Sequence, residues 1–233
     1  MARRKKAGRL RVRDVLGVLG QIVAVAALLF VSAGRSDWVW GWFYVGIFAG
    51  LTGLAYLVVL PGDSGLAAER RSRRREAARS DRMVVALMSI FLPVVLLVVA
   101  GLGERFAWPP SLPTAVRIGG LVIAVLGYLF TLWALASNTF FSSVMRIQEE
   151  RGHRVVSDGP YRFVRHPGYA GFIFFWTGTA VMLGSLRALI PVALVALATA
   201  HRALREERTL RHGLDGYVDY AERVRFRLVP GIW

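Results

Sequence analysis

The sequence predicts an all-α fold, a polytopic transmembrane helix bundle of about six spans. Three observations point there. Hydrophobic residues make up 55% of the 233 positions and the mean hydropathy is +0.47, a level soluble domains rarely reach. Several apolar runs approach the roughly 20 residues an α-helix needs to cross a hydrocarbon core about 30 Å thick. The 30 Lys and Arg are gathered between alternate runs rather than scattered.

The expected spans are Val15–Ser32, Trp38–Leu60, Met83–Leu102, Val116–Ala136, Tyr169–Leu183 and Ala188–His201. The first follows a basic start that resembles a signal n-region. No small-residue cleavage site follows it, so a retained helix is expected. The second is the clearest span. Trp38, Trp40 and Trp42 at its start read as an interfacial aromatic belt, and Gly46 and Gly50 as a small-residue pair suited to helix contact. Between spans two and three, the Arg70–Arg82 run with Glu69, Glu76 and Asp81 reads as a solvated amphipathic stretch on anionic lipid. Trp108-Pro109-Pro110 reads as a turn on the external side. The fifth and sixth spans are short, and Leu183-Gly184-Ser185-Leu186-Arg187 reads as the tight turn of a helical hairpin. By organisation, 1–136 holds about four spans, and 137–233 holds the loop, hairpin and tail that carry chemistry.

All Lys and Arg except Arg35, Arg105, Arg117 and Arg187 fall before span one, between spans two and three, after span four, or in the tail from Arg202. The positive-inside rule then places both termini and the 137–168 loop in the cytoplasm, in a multi-pass protein of the plasma membrane. In a soluble chain a net charge of +15 would suggest nucleic acid. In a membrane protein it reflects orientation and anionic lipid headgroups, and no nucleic-acid partner is expected. There are no cysteines, which excludes disulfides, thiolate nucleophiles and cysteine metal sites.

Between the fourth and fifth spans lies Gly159-Pro160-Tyr161-Arg162-Phe163-Val164-Arg165-His166-Pro167-Gly168-Tyr169-Ala170-Gly171. Glycines and prolines fix this backbone while Arg, His and Tyr supply charge and hydrogen bonds. A rigid polar segment at a membrane surface reads as a site. A plain interfacial loop with snorkelling Arg and belt Tyr is the competing reading. The second segment is the tail. Arg202 to Leu210 continues the last apolar helix and carries Glu206 and Glu207, which ordinary pairing with Arg202, Arg205 or Arg211 would explain. Tyr217-x-x-Tyr220-x-x-Arg223-Val224 follows, with Tyr220 and Arg223 expected on one helix face.

Together, Arg165-His166-Pro167-Gly168-Tyr169, Glu206-Glu207 and Tyr217-x-x-Tyr220-x-x-Arg223-Val224 resemble the isoprenylcysteine carboxyl methyltransferase family of integral membrane enzymes. The resemblance covers roughly Asn138 to Pro230. His212-Gly213-Leu214-Asp215-Gly216 stands where the family often has Phe-Gly before the first tyrosine. The resemblance implies methyl transfer from S-adenosylmethionine to a lipophilic acceptor such as a lipid carboxylate. It implies cofactor contacts from Gly159, Tyr161, His166, Tyr169, Gly171, Glu206 and Glu207. It turns Arg165, Tyr220 and Arg223 toward the substrate, with Arg165, Arg223 and Glu206 expected to serve catalysis.

Methyl transfer from a sulfonium needs alignment and electrostatic support, and a carboxylate acceptor is already ionised near neutral pH. No metal is expected, because neither His153 nor His201 sits at a zinc-ligand spacing from His166. A sterol-type NADPH-dependent ene-reductase shares a similar Arg-His-Pro-x-Tyr region and is the rival enzyme. A lipid-binding protein with a degenerate site is the non-enzymatic rival.

Overall fold

A computed structural model of the chain describes residues 12–59, 79–142 and 146–233. The basic start and most of the Arg70–Arg82 run lie outside the described residues. The described residues form helices and no strands. They are α1 (Val12–Ala33), α2 (Val39–Val59), α3 (Arg79–Ala86), α4 (Leu92–Arg105), α5 (Thr114–Ser137), α6 (Pro167–Met182), α7 (Leu189–Gly213) and α8 (Tyr217–Arg223). A π turn, Leu87–Phe91, joins α3 to α4 into one continuous rod. It directly precedes Pro93, which lacks the N–H that would bond the Ser89 carbonyl.

Each of the six expected segments is helical over nearly all of its described residues, with Leu60 outside them. Four of them, Val15–Ala33, Val39–Leu57, Asp81–Arg105 and Thr114–Ser137, are long and apolar enough to cross a membrane. The chain is therefore a multi-pass membrane protein. The short α6, of 16 residues, covers only about 24 Å. The longer α7, of 25 residues, carries Arg202, Arg205, Glu206, Glu207 and Arg208 in its second half. The count of about six spans thus depends on this last hairpin.

Backbone contact holds α6 in place. A Cβ on Gly171 would lie 2.4 Å from both the Gly127 carbonyl and Thr131 Oγ1, and one on Gly178 would lie 2.3 Å from the Ala124 nitrogen. No larger residue fits there, so α5 and α6 pack backbone to backbone, as membrane helices do through small residues. Gly46 and Gly50 do not serve this way: no other element of the described chain approaches where their Cβ atoms would be. Trp38 also departs from the aromatic-belt reading. It is 3% exposed and packs in the core with Leu29, Leu96 and Val195, while Trp42 stays on the surface.

The two ends of the bundle differ in charge. Arg35, Arg105, Arg117 and Arg187 all sit at one end. There Arg35 pairs with Asp37 at 2.6 Å and Arg187 lies 4.4 Å over the Trp108 ring. The opposite end gathers the start of α3, the segment from 138 onward, the second half of α7 and α8. Orientation is testable in this cysteine-free chain. Cysteines at the exposed Ser111 and Ser157 are expected to react with impermeant maleimide from opposite sides of sealed vesicles, Ser157 from the cytoplasmic side. Labelling of both from outside would overturn that orientation.

Candidate functional site

The Gly159–Arg162 turn begins with Gly159 at φ +59, and a Cβ there would meet Ser137 Oγ at 2.5 Å. Only glycine satisfies both demands. The turn buries Tyr161 and leads to Arg165 and His166 just before Pro167 opens α6. The tail docks on these two residues: the Arg165 and His166 amides donate to the carbonyls of Phe226 and Arg227, each at 2.9 Å.

Arg165 is the clamp. Its guanidinium is 3% exposed and donates through Nε to Glu207 Oε1 at 2.6 Å. Its Nη1 donates to the carbonyls of Val224 and Arg225, at 2.7 and 2.8 Å. Glu207 also receives Arg227 Nε at 3.1 Å, and His166 Nε2 lies 3.3 Å from its Oε1. Burial pushes the Glu207 carboxyl up, but the adjacent His166 and the Arg165 hydrogen bond outweigh it and hold it down at about 2.

Glu206 and Glu207 are adjacent, so on a helix their side chains point about 100° apart. Glu207 is buried against the clamp. Glu206 is half-buried and accepts the Tyr169 hydroxyl at 2.7 Å. The Tyr169 oxygen in turn accepts Arg202 Nε at 2.8 Å, and Arg202 forms a buried ion pair with Asp81 of α3. The His166 and Tyr169 rings stack, with centroids 5.4 Å apart and planes 8° apart.

Part of this network borders a cavity. Of the expected residues, Tyr161, Arg165, His166, Tyr169, Glu206 and Tyr220 line it. Gly159, Gly171, Glu207 and Arg223 are not part of its wall. Gly171 packs on α5, Glu207 sits behind the wall, and Gly159 shapes the turn. The shared face expected of Tyr220 and Arg223 is corrected: Tyr220 is 2% exposed, whereas Arg223 is exposed. The short α8 turns Tyr217, Tyr220 and Ala221 inward, which leaves Arg223 on the far side.

Sequence reasoning missed several wall residues, among them Asn138, Phe140, Arg146, His153 and Arg154. His153 was weighed only as a metal ligand. Its Nδ1 accepts the Gln148 amide at 3.3 Å, which favours the neutral tautomer protonated on Nε2. Burial pushes its pKa down. Asp81 was read as part of a solvated stretch, yet it is 4% exposed. Tyr217 also lines the wall, and its buried hydroxyl has no hydrogen-bond partner among the described residues.

Residues 120–212 match the profile of the isoprenylcysteine carboxyl methyltransferase family. Protein-S-isoprenylcysteine O-methyltransferase B of Arabidopsis thaliana is 34% identical over 113 residues, covering 45% of this chain and 55% of that protein. The probable protein-S-isoprenylcysteine O-methyltransferase of Oryza sativa subsp. indica is 32% identical over 108 residues, covering 45% and 56%. The protein-S-isoprenylcysteine O-methyltransferase of Schizosaccharomyces pombe is 30% identical over 99 residues, 42% of each chain. The chain spans about half the length of the curated relatives it matches. The matched segment runs from inside α5 to the end of α7 and holds the clamp, the stacked His166–Tyr169 pair and both glutamates. That segment is similar to the isoprenylcysteine carboxyl methyltransferase family.

Proposed function

We propose that this chain is an integral membrane methyltransferase. It moves a methyl group from S-adenosylmethionine to a lipophilic acceptor carrying a carboxylate, of the isoprenylcysteine kind. The observation that carries the reading is one cavity wall shared by Glu206, His166, Tyr169, Tyr161, Tyr217 and Tyr220, a carboxylate set among aromatic rings.

The residue types suit the methyl donor. Phe140, Tyr161 and Tyr220 offer aromatic surface for an adenine, and the Glu206 carboxylate offers negative charge for the donor's cationic end. Arg146 and Arg154 offer charge for its carboxylate. When bound, S-adenosylmethionine supplies a methyl group on an electron-poor sulfonium. The protein's part is to orient both partners and keep water out, since an ionised carboxylate acceptor needs no general base. Arg165 serves the substrate end by fixing the tail. Arg223, on the exposed side of α8, would meet the carboxylate as it approaches. We place the site on the cytoplasmic side of the plasma membrane, where the basic segments would meet anionic headgroups.

The reductase reading has no support among the relatives named above, which are all methyltransferases. Thermal unfolding in detergent separates the two. S-adenosylhomocysteine near 100 times its Kd is expected to raise Tm by about 5–10 °C, and NADPH to leave it unchanged. Transfer of labelled methyl to a farnesylcysteine analogue would complete the assignment. A Tm shift with NADPH and none with S-adenosylhomocysteine would overturn it.

A further inference from the structure

The structure assigns Asp81, from outside the family-matching segment, as the positioning residue that keeps Arg202 from neutralising Glu206, so that Glu206 can receive a cationic ligand. This rests on the function proposed above. Arg202 and Glu206 stand four residues apart on α7, the spacing at which an arginine and a glutamate on one helix meet and pair. They do not pair directly. Arg202 is 3% exposed and its Nη1 is bonded to Asp81, itself 4% exposed, at the start of α3. Its Nε donates to the Tyr169 oxygen at 2.8 Å.

The direction of each bond follows. A guanidinium only donates, so the Tyr169 oxygen is an acceptor toward Arg202. The single phenol proton then goes to Glu206 Oε2, at 2.7 Å. A neutral hydroxyl thus stands between the arginine and the glutamate that faces the cavity. Glu206 keeps its negative charge for what enters, and Tyr169 is fixed from both sides. Asp81 is the counter-charge that holds Arg202 on the far side of Tyr169. A buried carboxylate at the end of a membrane helix is costly, so its place beside the site has a function as its simplest account.

The test is charge-selective binding. S-adenosylmethionine carries a sulfonium and an ammonium, whereas 5′-methylthioadenosine keeps the nucleoside and thioether and has neither cation. In Asp81→Asn, Arg202 is released toward Glu206. The Kd for S-adenosylmethionine is expected to rise about tenfold or more, the loss of one charged contact. The Kd for 5′-methylthioadenosine should stay within about threefold. Asp81→Glu should recover most of the loss. So should Asp81→Asn combined with Arg202→Gln, which removes the freed cation together with its partner.

Equal weakening of both ligands would overturn the proposal, because a merely structural role predicts that. So would unchanged binding in Asp81→Asn, or a double variant no better than the single. If Asp81→Asn does not fold, the double variant decides, since it removes both charges of the buried pair together. It is expected to keep the wild-type preference for S-adenosylmethionine over 5′-methylthioadenosine, and loss of that preference overturns the proposal. Failure of the wild-type protein to bind S-adenosylmethionine would instead overturn the proposed function.

Discussion

Arg165→Ala is expected to release the C-terminal tail from the bundle and to destabilise the protein by about 3–5 kcal/mol, a loss of about 10 °C in Tm. The cost comes from what is left behind. Glu207 is 3% exposed and would lose its shortest partner while Arg227 and His166 remain at 3.1 and 3.3 Å. The carbonyls of Val224 and Arg225 would lose the Nη1 that ties α8's end to the start of α6. Arg165→Lys should rescue little, because one ammonium cannot reproduce a fork that reaches a carboxylate and two carbonyls. Proteolysis of the tail and thermal unfolding in detergent both read this out. A variant whose Tm stays within about 2 °C of wild type, with a protected tail, would show that the clamp is not what holds the tail.

The same clamp gives an acid dependence of definite sign. The ordinary Glu207 carboxyl titrates near 4.5 and the folded one at about 2. A lowered folded pKa means the unfolded chain takes up the proton first. The stabilisation is therefore complete above about pH 4.5 and is lost as pH falls from there through about 2. Wild-type Tm should fall more steeply than that of Glu207→Gln over this window. Parallel curves would contradict the clamp's charge.

The helices were legible because apolar length is a strong signal, and each expected segment is helical over nearly all of its described residues. Their partners were not. Gly46 and Gly50 have the spacing of a packing motif, but their face of α2 meets no other described element. The glycines that do pack, Gly127 and Gly171, sit on two different helices, and a pairing between distant segments leaves no local pattern. Gly171 was drawn into the site because it closes a motif rich in polar residues. Its place against Thr131 shows that one motif can serve chemistry at one end and helix packing at the other.

The site divides in the same way. Tyr161, Arg165, His166, Tyr169, Glu206 and Tyr220 share one wall, and the family resemblance carried by their motifs brought them out together. Asp81 escaped because it follows a run of arginines, where an acid normally reads as a solvated counter-charge. Only the fold shows it crossing to α7. His153 and Asn138 escaped because the loop that carries them has no periodicity to place them.

The adjacent glutamates give the other large effect, and they should fail in opposite ways. Glu206→Gln keeps an amide oxygen that can accept the Tyr169 hydroxyl, so the fold should lose little. It removes the negative charge at the cavity. Affinity for S-adenosylmethionine is expected to fall about 10–100-fold, the scale of a hydrogen bond to a charged group, and methyl transfer at low donor concentration should fall at least as much. Glu207→Gln puts the same chemical change one residue along the chain. Its side chain lies behind the wall, bonded to Arg165 and Arg227, so donor affinity in the folded fraction should change by less than about threefold while Tm drops. The contrast rests on one geometric fact: neighbours on a helix point about 100° apart, which sends one carboxylate to a cavity and the other to a clamp. Isothermal titration with S-adenosylmethionine on both folded variants, beside their unfolding curves, is the measurement. If Glu207→Gln weakens the donor as much as Glu206→Gln does, the division of roles is wrong and the two carboxylates act as one.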